Sequence, residues 1–480
     1  MHKSLIHSSE NNNYYIYDHQ FRLSILVHPE LKKVHENTTE VDIYYFKKYE
    51  YLKRHGFFTE NKPVNFGTLN ESVVKEIIIQ TPQISFEVTD FCNLNCTYCS
   101  RGGLYENKEI KNFKNINTRN AINLLKYFFS IKQKNNRKKL LISFYGGEPL
   151  LNIRFIKRIV EIVNKLNEEN ELDIAYNMTT NATLIHKHID FLVNNKFTLL
   201  ISLDGNEKNQ SYRSFRKTQK NSFYKVIENL DMVKSVYPEY FFDNISFNSV
   251  LHNKNSVKEI FEFIYFRYNK IPNISTLSDS YINPNKKYLF DRIFNSKIKS
   301  ETEFKNDESE VNFLFHDQLS IYRELTSFLK HCSINYYVSN ITALLKTEEK
   351  QFPTSTCLPG LKRIFMNVNN KLFPCEKINY KYTIGEVNNN NIDIDIKKIT
   401  QQYKQYYELI SKFCNNCYNY MFCGMCLFHM KYFDKLKTEE FVCEGFHNFE
   451  TYKNKLNHLF SFLEKYPNDF SNIIENIIIE

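Results

Sequence analysis

The chain is expected to fold as an α/β protein: a partial (β/α)6, TIM-like barrel with a small α+β domain before it and a cysteine-rich domain after it. Two observations carry this expectation. Between residues 84 and 280, six short β-rich runs alternate with amphipathic stretches long enough to be crossover helices, the pattern of βα units in a parallel sheet. Of the 11 cysteines in 480 residues, three lie near the start of that body and seven near the end of the chain, with only Cys332 apart and the body between free of cysteine.

The elements follow in order. Tyr14–Ile16 and Arg22–Val27 flank Asp18 and His19 as a hairpin, and Val41–Arg54 reads as a helix stopped at Gly56. Residues 1–78 therefore form the N-terminal α+β domain. The barrel, residues 79–300, draws its strands from Ile84–Val88, Leu140–Tyr145, Leu172–Asn177, Thr198–Leu203, Ile245–Leu251 and Ile274–Leu277. Asn120–Ile131, Ile153–Leu166, Phe223–Val236 and Ser256–Phe266 supply crossover helices. Residues 301–350 read as a helical linker in which Leu314–Leu329 is periodic, and 451–480 as a closing helix. Residues 351–450 are cysteine-rich, aromatic and short of long periodic segments, as expected where metal ligands substitute for core burial, with Asn388–Asn391 a loop tip.

Composition bounds the function. With 42% hydrophobic and 15% aromatic residues the chain can bury a large core, which excludes disorder as its main state. Its longest apolar runs fall far short of the roughly 20 residues of a membrane span, so no membrane partner is expected. The net charge of +9 is mild for this length, and the basic run Lys132–Lys139 reads as a solvated helix end, so no nucleic acid is expected either. Met1–Asn13 has no apolar signal segment, which points to the cytoplasm. In that reducing compartment, clustered cysteines indicate metal or redox chemistry rather than disulfides.

Cys92, Cys96 and Cys99 are separated by three and then two residues, in a loop directly after the first barrel strand. Such folds place their chemistry at the C-terminal ends of strands. At this cysteine content the spacing is expected by chance only about 0.006 times in the chain. Three thiolates so close need a soft cation. Structural zinc takes four protein ligands, and the loop has no histidine. A [4Fe–4S] cluster on three cysteines instead leaves one iron without a protein ligand.

The run Phe91-Cys92-Asn93-Leu94-Asn95-Cys96-Thr97-Tyr98-Cys99 resembles the signature of the radical S-adenosylmethionine (SAM) superfamily. The resemblance implies that the open iron chelates SAM and that reductive cleavage yields a hydrogen-abstracting 5′-deoxyadenosyl radical. It places Tyr98 near the adenine. Gly146-Gly147-Glu148-Pro149 after the second strand resembles the family's GGEP motif, where backbone groups meet the SAM amino group. Thr180-Asn181-Ala182-Thr183-Leu184 resembles TNGTL, with Ala182 in place of the glycine. Ser202-Leu203-Asp204-Gly205, with Arg213 and Arg216 downstream, resembles the SLDG segment that faces the SAM ribose and carboxylate or the substrate.

Cys357, Cys375, Cys414, Cys417, Cys423, Cys426 and Cys443 exceed one four-ligand site, so two metal centres are implied, and on ligand count alone two zincs remain open. Their order resembles the SPASM domain of radical SAM enzymes that act on peptides and proteins, an iron–sulfur domain with two auxiliary [4Fe–4S] clusters. The resemblance assigns Cys414, Cys417, Cys423 and Cys443 to an outer cluster. It assigns Cys357, Cys375 and Cys426 to an inner one, left with an open iron unless Cys332 fills it; a lone cysteine beside His331 on an apolar helix is more often a buried thiol. Cys423 and Cys426 are two residues apart where the family usually has three. Glu376 holds the place of the acid proposed to take the substrate proton in sulfatase-maturing relatives, a candidate general base.

The function implied is oxidative modification of a ribosomally synthesised precursor peptide by thioether, C–C or C–O cross-linking. Its partners would be a peptide with a leader, bound at residues 1–78, and an electron donor such as flavodoxin or ferredoxin. The alternatives are an anaerobic sulfatase-maturating (formylglycine-generating) enzyme and, from another class, a zinc-stabilised binding protein.

Overall fold

A computed structural model describes residues 4–19, 21–38, 40–58, 66–106, 113–133, 139–169, 171–305, 319–332, 352–389, 391–431 and 433–475. The chain divides into two units, one of residues 1–68, 316–356 and 404–480, the other of residues 69–315 and 357–403.

In the smaller unit, strands β1 (Leu5–Ser8), β2 (Tyr14–Asp18) and β3 (Leu23–Val27) form an antiparallel sheet in that order. The expected hairpin is β2–β3. Strand β1 escapes the sequence pattern because four residues containing His7 show no usable alternation. One face of the sheet buries Ile6, Ile16 and Val27 with Leu31, Val34, Tyr49 and Phe58, the last four from helices Pro29–His35 and Ile43–Arg54 and the turn after them. Asp42 caps the second helix by accepting from the Tyr44 and Tyr45 amides. Helix Phe449–Lys465 packs on β1, where the Ser8 amide donates to Asn457 Oδ1 (2.8 Å), and from β2 the Tyr15 hydroxyl donates to Glu464 Oε1 (2.6 Å). Pro467 divides the expected closing helix, and a second one follows at Pro467–Glu475.

In the larger unit, six parallel strands follow chain order: β4 (Gln83–Thr89), β5 (Lys139–Gly146), β6 (Asp173–Thr180), β7 (Thr198–Ser202), β8 (Ile245–Val250) and β9 (Asn273–Ser275). Helices Thr118–Gln133, Ile153–Asn167, Phe223–Val236 and Val257–Tyr268 are the crossovers read from the sequence. The second of them buries Phe155, Ile156, Ile159, Val160 and Val163 as one stripe.

Two features of the cysteine-rich region differ from expectation. Strands β10 (Ile364–Met366), β11 (Lys371–Phe373), β12 (Gly385–Asn388) and β13 (Asn391–Asp393) continue the barrel sheet beyond β4, and β10 pairs parallel to β4. Three- and four-residue strands carry too few positions for a period-two signal. The region also holds a long periodic segment, the 19-residue helix Ile396–Cys414, whose buried Ile399, Tyr403, Tyr407 and Ile410 recur at helical spacing. The turn at Asn389, with φ of 41°, is the expected loop tip.

Residues 134–138 of the basic run, 306–318 and 333–350 of the linker and the Cys332 side chain lie outside the described residues. Lys132 is buried rather than solvated. Among the described residues no helix is long and apolar enough to cross a membrane.

Phe86 on β4 is fully buried and pairs in register with Phe144 on one side and Met366 on the other. Phe86→Ala is therefore expected to destabilise the protein by about 3–5 kcal/mol, read as a lowered denaturant midpoint.

Candidate functional site

Cys92, Cys96 and Cys99 lie in the loop leaving β4, and main-chain contacts grip this loop from two sides. On one side runs the segment 212–216: the Asn95 amide donates to Ser214 O (2.8 Å), the Thr97 amide to Tyr212 O (3.1 Å) and the Arg216 amide to Asn93 O (2.8 Å). Arg216 Nε adds a bond to Cys92 O (3.1 Å). On the other side the Gly147 amide donates to Thr89 O (2.7 Å) and the Glu148 amide to Phe91 O (2.9 Å). A Cβ on Gly147 would overlap Phe91 O, and one on Gly146, at φ of 138°, would overlap Thr89 O. The paired glycines thus seat the cysteine loop itself against β5.

None of the three thiols is in a disulfide, and all three are partly exposed. Burial pushes the Cys96 thiol up to about 12, against the pull of Arg213, and the Cys99 and Cys92 thiols add to the rise, so the three sulfurs feel one another. Among the described residues no three Cys, His, Asp or Glu side chains converge tightly enough for a single metal ion. An all-thiol set spread over a loop suits a cluster, which presents separate iron corners to separate sulfurs.

Beside the loop lies a buried charge pair. Arg213 donates from Nε to Asp204 Oδ2 (2.9 Å) and from a terminal nitrogen to Oδ1 (3.0 Å), and the Val250 amide also donates to Oδ1 (2.9 Å). Burial alone would raise the Asp204 carboxyl, but the Arg213 guanidinium outweighs it and, with His252, holds it well below the usual range. The Tyr98 hydroxyl bonds to Asp204, and its ring stacks on His252 with centroids 5.5 Å apart. Tyr98, Asp204 and Arg213, read from the sequence as SAM contacts, are thereby engaged with one another and brace the loop between Cys96 and Cys99. Ser202, at the end of β7 opposite Asn248, stands outside this network.

Glu148 is buried and accepts from Thr180 Oγ1 (2.7 Å), the Asn181 amide (2.8 Å) and the Leu150 amide (3.1 Å). Burial pushes its carboxyl up to about 7, with these three donors pulling the other way. The Asn181 side-chain amide then reaches Asn93 Oδ1 (3.0 Å) and Cys92 Sγ (3.7 Å). The expected turn survives the missing glycine: Ala182 takes φ of 58°, and Asn229 Nδ2 donates to its carbonyl (2.8 Å).

Of the later cysteines, Cys414, Cys417, Cys423 and Cys443 all belong to the smaller unit. Burial pushes the Cys443 thiol up to about 11, with Cys423 and Cys417 the nearest sulfurs adding to it. The His447 amide donates to Cys417 Sγ (3.4 Å). Cys357 and Cys375 belong to the larger unit and Cys426 to the smaller. Glu376 is buried next to Cys375, and one Arg363 nitrogen bonds both of its oxygens (2.8 and 2.9 Å).

Sequence reasoning missed His252, Arg363 and the buried pair of Arg101 with Glu87. His252 follows β8 as Asp204 follows β7, so the strand-end rule would have found it. Glu87 stands out as a lone carboxylate in an apolar strand.

A parallel α/β sheet bearing an all-thiol loop at the carboxyl end of its first strand has the donor set and the placement that suit an iron–sulfur cofactor. Residues 86–265 match the model of the radical SAM superfamily, and the chain carries a radical SAM domain, for which a [4Fe–4S] cluster and SAM are the family's cofactors. Over 275 residues it is 28% identical to the radical SAM cyclopropyl synthase TigE of Paramaledivibacter caminithermalis, covering 49% of this chain and 54% of that one. Over 191 residues it is 28% identical to a cysteine-type anaerobic sulfatase-maturating enzyme of Clostridium novyi, covering 39% and 50%. The chain thus spans about half the length of these curated relatives. The solved structure of native anSMEcpe with bound AdoMet shares the fold, with a TM-score of 0.56 at 19% identity over 82% of this chain and all of that one.

Asp204→Asn leaves the buried Arg213 charge unpaired and is expected to cost about 3–5 kcal/mol, seen as a lowered denaturant midpoint and reduced iron at the cysteine loop. The Glu148 carboxyl has a folded value near 7 and an ordinary value of 4.5, so its stabilising contribution is present below 4.5 and is lost as pH rises through 7. The melting temperature of Glu148→Gln relative to the parent protein should therefore shift upward between about pH 6 and about pH 8.5; a constant difference would refute this assignment.

Proposed function

We propose that the protein is a radical SAM/SPASM enzyme that oxidatively cross-links a ribosomally synthesised precursor peptide, forming a thioether, C–C or C–O bond. The observation that carries this reading is the continuity of the sheet. Strand β10 pairs with β4 on one side and β11 on the other, so the segment bearing Cys375 and Glu376, which follows β11, and the loop bearing Cys92, Cys96 and Cys99, which follows β4, extend from one continuous sheet. An initiating centre and an electron-accepting centre at fixed separation suit a net two-electron oxidation.

In this reading Cys92, Cys96 and Cys99 hold the SAM-binding cluster, with Gly146, Gly147, Glu148, Thr180, Asn181, Ser202, Asp204, Arg213, Arg216 and Tyr98 shaping its surroundings. Cys414, Cys417, Cys423 and Cys443 hold the outer auxiliary cluster, and Cys357, Cys375 and Cys426 hold three corners of the inner one. When bound, these groups supply a hydrogen-abstracting radical and a sink for the second electron. Glu376 takes the substrate proton, with Arg363 orienting its carboxylate. Residues 1–78 bind the leader, which adds to the β3 edge, the side of the small sheet opposite the one covered by helix Phe449–Lys465. The protein works in the cytoplasm with a flavodoxin or ferredoxin as reductant.

Similarity to the cysteine-type anaerobic sulfatase-maturating enzyme of Clostridium novyi supports the second reading, formylglycine formation on a sulfatase. Both readings take a peptide as substrate.

Reconstituted holoenzyme should contain about ten or more irons per chain, and Cys92→Ala should remove about four of them together with all SAM cleavage. With SAM, reductant and a short Cys- and aromatic-rich precursor peptide, mass spectrometry should show a loss of about 2 Da per modification. Stoichiometric zinc with intact SAM would overturn the proposal. Formylglycine in a sulfatase peptide, with the precursor untouched, would select the second reading.

A further inference from the structure

Tyr145 stands where the two cysteine groups of the larger unit meet. It lies near the end of β5, directly before Gly146, and its phenol is within electrostatic reach of Arg101, Glu376, Cys99 and Cys375. Its ring is held in place by the Arg101 guanidinium, which sits 5.6 Å from the ring centroid. Arg101 is itself fixed by hydrogen bonds to Glu87 and to the Tyr380 hydroxyl, and it lies 5.9 Å over the Tyr380 ring. Glu87 also accepts from the Val368 amide (3.1 Å), so both β4 and the turn after β10 determine where Tyr145 sits.

The polar groups around Tyr145 are occupied. Tyr380 donates to Glu87 (3.4 Å) and accepts from Arg101, and both Glu376 oxygens are taken by Arg363. The Tyr145 hydroxyl makes no hydrogen bond to any described residue. Arg101 Nε, in a buried side chain, likewise has no hydrogen-bond partner among them. A ring locked in position with an uncommitted hydroxyl, between the loop of Cys99 and the Cys375–Glu376 segment, is a preorganised contact waiting for a partner. Burial pushes the phenol up to about 12, so it is a donor at neutral pH and calls for an acceptor. The acceptor that every peptide offers, whatever its sequence, is a main-chain carbonyl.

We propose that Tyr145 is a substrate-contacting residue whose hydroxyl donates to a backbone carbonyl of the peptide, holding the reacting segment between the cysteine loop and Glu376. This rests on the reading that the substrate is a peptide. No bond is made or broken at Tyr145. It fixes the register of the peptide, and the side chains of the reacting residues remain free for the chemistry.

The test is Tyr145→Phe, which keeps the ring and its contact with Arg101 and removes only the hydroxyl. Binding of a synthetic Cys- and aromatic-rich precursor peptide, labelled with fluorescein, is measured by anisotropy on cluster-loaded, SAM-bound, unreduced holoenzyme, with a cysteine-type sulfatase-site peptide in parallel. Iron content and melting temperature serve to verify folding. The expected result is a dissociation constant raised about tenfold for the peptide that the parent enzyme modifies, the scale of one lost hydrogen bond, and more SAM consumed per peptide modified. Tyr380→Phe, which lacks a free hydroxyl to lose, should raise the dissociation constant less. Equal binding and equal coupling in Tyr145→Phe would overturn the inference while leaving the peptide-modifying function intact. A parent enzyme that cleaves SAM and binds neither peptide would overturn that function, and this inference with it.

Discussion

The chemistry rests on one close approach of backbone to backbone. Gly146 and Gly147 bring the end of β5 so near the chain leaving β4 that no side chain fits between them, and two amides from 147 and 148 bond back to Thr89 and Phe91. The opposite flank of the same loop is bonded to the segment 212–216. A loop of three cysteines would otherwise be free to rearrange, because unligated thiols contribute little to holding it. These main-chain contacts hold the loop independently of its thiols, which lowers the ordering entropy that cofactor binding must overcome.

Charge reinforces this arrangement. Asp204 and Arg213 are both buried, so neither tolerates losing the other, and Tyr98 and His252 close around them between the loop and the strands β7 and β8. Glu148 does the same on the other side, gathering three donors from its own turn and the end of β6, so that Asn181 is aimed at Cys92. Residues read from motif resemblance as ligand contacts thus make much of their contribution by bracing the cysteine loop.

The fold was legible in the sequence where elements were long or repeated. Six strands and four crossover helices were visible because each spans enough residues for its period to show, and the cysteine spacing was informative because cysteine is rare. The strands β10 to β13 were hidden by their length, and the helix Ile396–Cys414 by a periodicity carried mainly on tyrosines and isoleucines within a cysteine-rich stretch. At the site, the cysteines, Glu148 and Asp204 could be named from position alone. His252 and Glu87 stand at positions that the strand pattern marks, but their partners, like that of Arg363, lie 13 or more residues away in sequence and were hidden: Asp204 for His252, Arg101 for Glu87 and Glu376 for Arg363. The consequence of replacing glycine by Ala182 was also illegible, since it depends on Asn229 supporting a left-handed backbone from a helix 47 residues further on.

In the proposed function the loop of Cys92, Cys96 and Cys99 holds a cluster with one iron open to SAM. This is tested most directly by electron paramagnetic resonance of a variant in which the seven C-terminal cysteines are replaced by alanine, reconstituted and reduced without oxygen. The account predicts a single [4Fe–4S] signal whose g-values shift when SAM is added. A signal indifferent to SAM, or none at all in a protein that retains its melting transition, would contradict it.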